Sequence, residues 1–236
     1  MSAASERMSD AALSTTMDGM EMPVAEPGTS LAQASDLIVF LSGWAVMMVA
    51  MMLPAAVPLI LLYRTIARKR LQPTKAVAGM VALLVGYVGV WTVAGVPVYV
   101  YNLLSQTQGP VMRVAPGLLL IAGGVYQFTA LKDGCHNRCS NPLFFLMNRW
   151  KPGTLGAARL GVLHGIDCVG CCAGLMVALV ALGMMNVAWM LTAAVIIVVE
   201  KMLPGGHRVA RPLGIALMVG GALVMSTALL NGRATL

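Results

Sequence analysis

Six long apolar runs constrain this chain more than any other feature. They lie at about 37–62, 76–104, 115–131, 157–182, 184–202 and 212–230. An apolar run of roughly 18 residues or more is long enough to cross the hydrocarbon core as a helix. Inside lipid every backbone polar group must be satisfied internally, so runs of this kind fold as helices. Only 11% of the 236 residues are charged, well below the roughly one quarter of a soluble domain. The sequence therefore predicts an all-α, polytopic membrane helix bundle with about six transmembrane helices. Residues 36–232 form that domain. Residues 1–35, rich in Ser, Ala, Pro and acidic side chains, read as a disordered Met-containing extracytoplasmic tail carrying Met17, Met20 and Met22. The first apolar run follows this tail and is too long for the h-region of a cleavable signal peptide.

The net charge of +7 does not indicate nucleic acid, because the basic residues gather in alternate connections instead of on one surface. Arg64, Arg68, Lys69, Arg70 and Lys75 follow the first run. Lys132, Arg138, Arg149, Lys151 and Arg159 follow the third, and Lys201, Arg208 and Arg211 follow the fifth. Of the 16 Lys and Arg residues, only Arg7, Arg113 and Arg233 lie elsewhere. The positive-inside rule makes the crowded connections cytoplasmic and both termini extracytoplasmic, in a cell inner membrane.

Sulfur is concentrated at two kinds of position. Met47, Met48, Met51 and Met52 fall within an arc of about 140° on one helix, together with Trp44. Thioether sulfur is a soft ligand suited to Cu(I), although methionine is also a flexible filler of irregular packing. All five cysteines occur in two clusters, Cys135 with Cys139 around His136, and Cys168, Cys171 and Cys172 downstream of His164 and Asp167. On a helix, His164, Asp167, Cys168 and Cys171 share one face, with Cys172 at its edge, and spacings of three and four residues let two side chains reach one ion. Gly170 and Gly174 form a small-xxx-small pair where another helix can approach closely. Disulfides are disfavoured on the reducing, cytoplasmic side. Glu200, at the margin of the fifth run beside Lys201, is a further candidate, either as a ligand or as half of an ion pair. No phosphate-binding or dinucleotide glycine motif occurs.

Together these motifs resemble the family of predicted metal-binding integral membrane proteins of unknown function, some of whose members are labelled copper chaperones. The resemblance rests on AMMLP at Ala50–Pro54 within Trp44–Pro58, on YQFTALKDGCHNRCSNP from Tyr126, and on HGIDCVGCCAGLM from His164. It extends to Gly183-Met184-Met185-Asn186, Trp189-Met190, Glu200-Lys201 and Pro204-Gly205. His164 stands where the family pattern has Gly, and the Met-rich tail is not part of that pattern.

The resulting expectation is a membrane protein that binds a soft metal ion, Cu(I) first and zinc second, for transport or for delivery to a metal-accepting protein. The expected ligands are Cys168, Cys171, Cys172, His164, Cys135, Cys139, Met47, Met48, Met51, Met52 and Glu200. Two alternatives remain at this stage: a membrane thiol-disulfide oxidoreductase using the Cys pairs, and a metal-delivering assembly subunit for a partner oxidase. No catalytic residue is assigned, and the remaining partner is the lipid bilayer.

The orientation predicts that single cysteines placed at Arg70 and Asn148 resist a membrane-impermeant maleimide added from outside intact cells. Labelling of both from the outside would reverse the topology.

Overall fold

A computed structural model of the protein describes residues 30–106, 109–183, 187–202 and 207–233. Nearly all of these are helical, and no strand occurs among them. By contacts the chain divides into two units, Met1–Gly43 and Trp44–Leu236, and the cysteines all lie in the second. Most of the expected tail, including Met17, Met20 and Met22, lies outside the described residues, as do Met184, Met185 and Asn186.

The helices are α1 (Ser30–Arg70), α2 (Pro73–Ser105), α3 (Pro110–Tyr126), α4 (Ala130–Ser140), α5 (Pro142–Arg149), α6 (Thr154–Leu182), α7 (Val187–Met202) and α8 (His207–Arg233). Proline opens α2, α3 and α5 at the first turn, where its missing N–H is no loss and its fixed φ suits a helix. Glycine bounds α6 at both ends, Gly153 with φ 89° and Gly183 with φ 96°. Both angles lie in the left-handed region that side chains with a Cβ rarely adopt.

Among the described residues four stretches are long and apolar enough to cross a membrane: Ala34–Lys69, Pro73–Ser105, Thr154–Leu182 and Val209–Leu230. A bent pair, Val111–Tyr126 with Ala130–Ser140, makes a fifth if the two count as one span. The fifth expected run appears as α7, whose 16 described residues fall just short by length.

The third run departs from expectation. It does not continue to residue 131 but breaks after Tyr126, and α4 leaves at 66°. Local hydrogen bonds explain the break. The amides of Gln127, Phe128 and Thr129 bond three residues back, to Gly124, Val125 and Tyr126, and the Thr129 hydroxyl also donates to the Tyr126 carbonyl at 2.8 Å. These tight turns end one helix. Thr129 Oγ1 then accepts from the Lys132 amide at 3.3 Å, which caps the next. The basic connection after the third run, from Lys132 to Arg149, is therefore largely α4 and α5.

α6 is the central helix, with α2, α3, α4 and α7 packed on it, and α8 lies against α3. Small residues permit this. A Cβ on Gly161 would strike the Leu83 backbone, one on Gly86 the Ala158 carbonyl, and one on Gly123 the Gly174 carbonyl. Gly117 meets Gly221 in the same way between α3 and α8. Close backbone approach of this kind holds helices together where lipid offers no hydrophobic contrast. Toward the end of α1, Leu59, Tyr63 and Ala67 join Leu83, Phe145, Leu146 and Leu160 in a buried cluster that ties α1, α2, α5 and α6 together.

Gly161→Ala should therefore lower thermal stability in detergent by about 1–3 kcal/mol, the usual cost of overpacking. Gly89→Ala, where an added Cβ meets nothing within 4 Å, should leave it unchanged or slightly raised. Equal melting temperatures for the two variants would show that the α2–α6 contact can relax.

Candidate metal centre

α6 carries Cys168 and Cys171 one turn apart on its buried side, and α4 brings Cys139 against them. The three sulfurs lie within 4.8 Å of one another, and all three residues are buried. All five thiols in the chain are free.

α4 is too polar to be held by apolar burial, and its position is fixed by charge. Arg138 Nε meets Asp167 Oδ1 at 3.0 Å, which joins α4 to α6 one residue before Cys168. Lys132 Nζ meets Glu200 Oε1 at 2.5 Å, which joins α4 to α7, and it also donates to Gln127 Oε1. Lys132 and Glu200 are both almost wholly buried. Arg149 Nη1, from the end of α5, approaches the other Asp167 oxygen at 3.9 Å.

Two groups serve Cys168 directly. Lys201 Nζ donates to its sulfur at 2.9 Å, and the Tyr87 hydroxyl lies 3.2 Å from it. The same hydroxyl is 3.3 Å from the Met52 carbonyl oxygen, so α1 and the thiols meet across Tyr87. The ammonium supplies a positive charge beside a sulfur that must become a thiolate to ligate a metal, in surroundings where an unpaired charge is costly.

The other expected site residues are placed as follows. Cys172 points its thiol back to the Cys168 carbonyl at 2.9 Å. Cys135 lies over Gly170, where any side chain would collide with its sulfur, and it accepts from Arg138 Nη2 at 3.5 Å. His164 is 2% exposed, stacked on Tyr87 and edge-on to Phe145, and neither ring nitrogen has a hydrogen-bond partner. Met48, Met51 and Met52 are buried and Met47 is half-buried. Glu200 is engaged by Lys132. Of the residues singled out from sequence, the structure thus gathers Cys139, Cys168 and Cys171.

Three residues of the centre escaped the sequence reading. Charge alone puts Lys132 and Lys201 in connections, yet Lys132 is buried in an ion pair and Lys201 reaches the thiols. Tyr87 had no motif around it. The available signals were a hydroxyl in the middle of an apolar run, and lysines inside helical pattern instead of beyond it.

The donor set fits a soft cation. Thiolates hold zinc at about 2.3 Å, so sulfurs around one such ion stand about 4 Å apart in a trigonal set. Sulfurs within 4.8 Å reach that spacing by small side-chain adjustments. Thiolate selects Cu(I) and zinc over hard cations.

The fold and the site together define an all-helical bundle of membrane-spanning character that encloses a buried three-thiol centre. Residues 41–224 match the PpoB2 family, described as a copper chaperone family, and the chain belongs to that family. No curated protein and no solved structure matches the chain.

The buried Lys132–Glu200 pair generates a stability prediction. Lys132→Met leaves a buried carboxylate without its partner and should cost about 3–5 kcal/mol, whereas Lys132→Met with Glu200→Met should recover most of that loss. Thermal unfolding in detergent reads both, and a single variant as stable as the parent would show that the pair does not hold α4.

Proposed function

We propose that this protein binds Cu(I) at Cys139, Cys168 and Cys171 within the membrane and passes it on, by transport or by delivery to a copper-accepting protein. The observation that carries the reading is the buried trio of sulfurs contributed by α4 and α6, taken with membership of a copper chaperone family. Copper is the cargo here. Thiolates from the trio hold it, and the Lys201 ammonium offsets part of their negative charge. Binding requires ionised thiols, so loading releases protons.

The other sulfur positions take secondary roles in this proposal. Met47, Met48, Met51 and Met52 are weaker thioether ligands on α1, whose Met52 carbonyl meets the Tyr87 hydroxyl, and they accept the ion before or after the thiols. His164 and Cys172 are reserve ligands one turn from Cys168, and Cys135 is a thiol one turn before Cys139, at the middle of α4. Glu200 acts by holding Lys132 and through it α4. With the crowded basic connections cytoplasmic, the trio stands toward the cytoplasmic half of the bundle. The oxidoreductase alternative has less support, because disulfide exchange needs an accessible thiolate and all five cysteines are buried.

Copper bound to anaerobically purified protein tests the proposal. The parent should hold stoichiometric Cu(I), and the Cys139→Ser, Cys168→Ser, Cys171→Ser triple variant should hold almost none. Cys135→Ser should keep its copper, which separates α4's two cysteines. Met48→Leu with Met52→Leu should fold normally, since such swaps usually cost under about 1.5 kcal/mol, yet hand copper on more slowly. Full occupancy in the triple variant would sink the assignment.

A further inference from the structure

The connection between α5 and α6 has properties unrelated to the thiols. Asn148, Arg149, Trp150, Lys151, Arg159 and Leu163 line a cavity of about 380 Å³. Three of these six are cations and none is a carboxylate. Asp167 reaches Arg149 only at 3.9 Å, and nearly a third of that arginine remains exposed. The guanidinium is braced by the Phe145 ring, 5.0 Å from its centroid. Trp150 is braced in turn by Tyr63, with ring centroids 5.2 Å apart. The cavity is therefore a basic recess with a built aromatic wall.

What surrounds the recess identifies its medium. α5 is two-sided, with Phe145 and Leu146 buried and Leu143, Phe144 and Met147 exposed at 55%, 69% and 72%. Leu155, at the start of α6, is 83% exposed. Four large apolar side chains beside a cationic recess would be costly in water. They are favourable where α5 lies along the bilayer surface with these side chains among the acyl chains. At that depth the recess stands at headgroup level, the usual level of Trp and of basic side chains.

We propose that this recess binds the phosphate headgroup of an anionic phospholipid. Lys151, Arg159 and the free side of Arg149 supply the charge, Asn148 a polar contact, and Trp150 the wall. Basic pockets at helix ends on the cytoplasmic side bind headgroups of this kind. Because Arg149 also approaches Asp167, next to Cys168, an occupied recess would brace the α5–α6 corner beside the thiol centre. The site stands independently of which metal the thiols hold.

The test is lipid retention measured by native mass spectrometry on the full chain released from nanodiscs of phosphatidylglycerol mixed with phosphatidylcholine. The parent should retain phosphatidylglycerol preferentially. Lys151→Gln with Arg159→Gln should reduce that preference about tenfold or more, since each basic group near the surface contributes several-fold. Thermal stability of the variant in pure phosphatidylcholine should match the parent, and Arg159→Gln alone should give an intermediate preference if the double variant folds poorly. Equal retention of the two lipids by the parent, or an unchanged preference in both variants, overturns the proposal. Displacement of the retained lipid by inorganic phosphate, or by an acidic peptide, would reassign the recess to a free anion or to a protein partner and overturn it too.

Discussion

The placement of α4 depends on two buried or half-buried ion pairs, and the thiol centre depends on α4. A helix reading ALKDGCHNRCS has little apolar surface with which to dock. Its attachment comes from Lys132 to Glu200 on α7 and from Arg138 to Asp167 on α6. The Lys132–Glu200 pair is almost wholly buried, and a pair of that sort adds little stability relative to an apolar contact, but removing one partner is severe. Such a pair suits positioning more than stabilising. Cys139 lies one residue beyond Arg138, so the contact that anchors the end of α4 also sets the third sulfur against Cys168 and Cys171.

The break before α4 is the other half of the same arrangement. Had the third apolar run continued as one helix, Cys139 would have been carried away along its axis. The turns at Gln127–Thr129 redirect the chain by 66° and lay the polar helix across α6. Gly170 and Gly174 accept this approach, the first beneath Cys135 and the second against Gly123, while Tyr126 donates to the Gly170 carbonyl at 2.6 Å. The helix that supplies two thiols thus also supplies the bare backbone that lets the third come near.

These two facts explain what the sequence could and could not convey. Helical class, the long apolar runs and the shared face of Cys168 and Cys171 follow from hydropathy and from the helical period, which are local properties. The break after Tyr126 rests on turn hydrogen bonds three residues back and on the Thr129 hydroxyl, and hydropathy carries no record of them. Lys132 and Lys201 were placed in connections because charge usually marks a span's end. Their actual positions depend on partners far along the chain, Glu200 for one and Cys168 for the other. Spacing alone does not separate Cys135 from Cys139 for the same reason. Both lie on α4, and only its tertiary docking decides which sulfur faces α6.

Tyr87 joins the two kinds of sulfur in the molecule. Its hydroxyl lies between the Met52 carbonyl and the Cys168 thiol, and its ring stacks on His164. A hydroxyl can both donate and accept, so this one can serve the carbonyl while accepting from a thiol, or turn to donate to a thiolate. The backbone of α1 at Met52 and the Cys168 thiol of α6 are therefore linked through one polar group that can reorient. With Lys201 Nζ also donating to the same sulfur, Cys168 is a thiol on which both an ammonium and a hydroxyl converge.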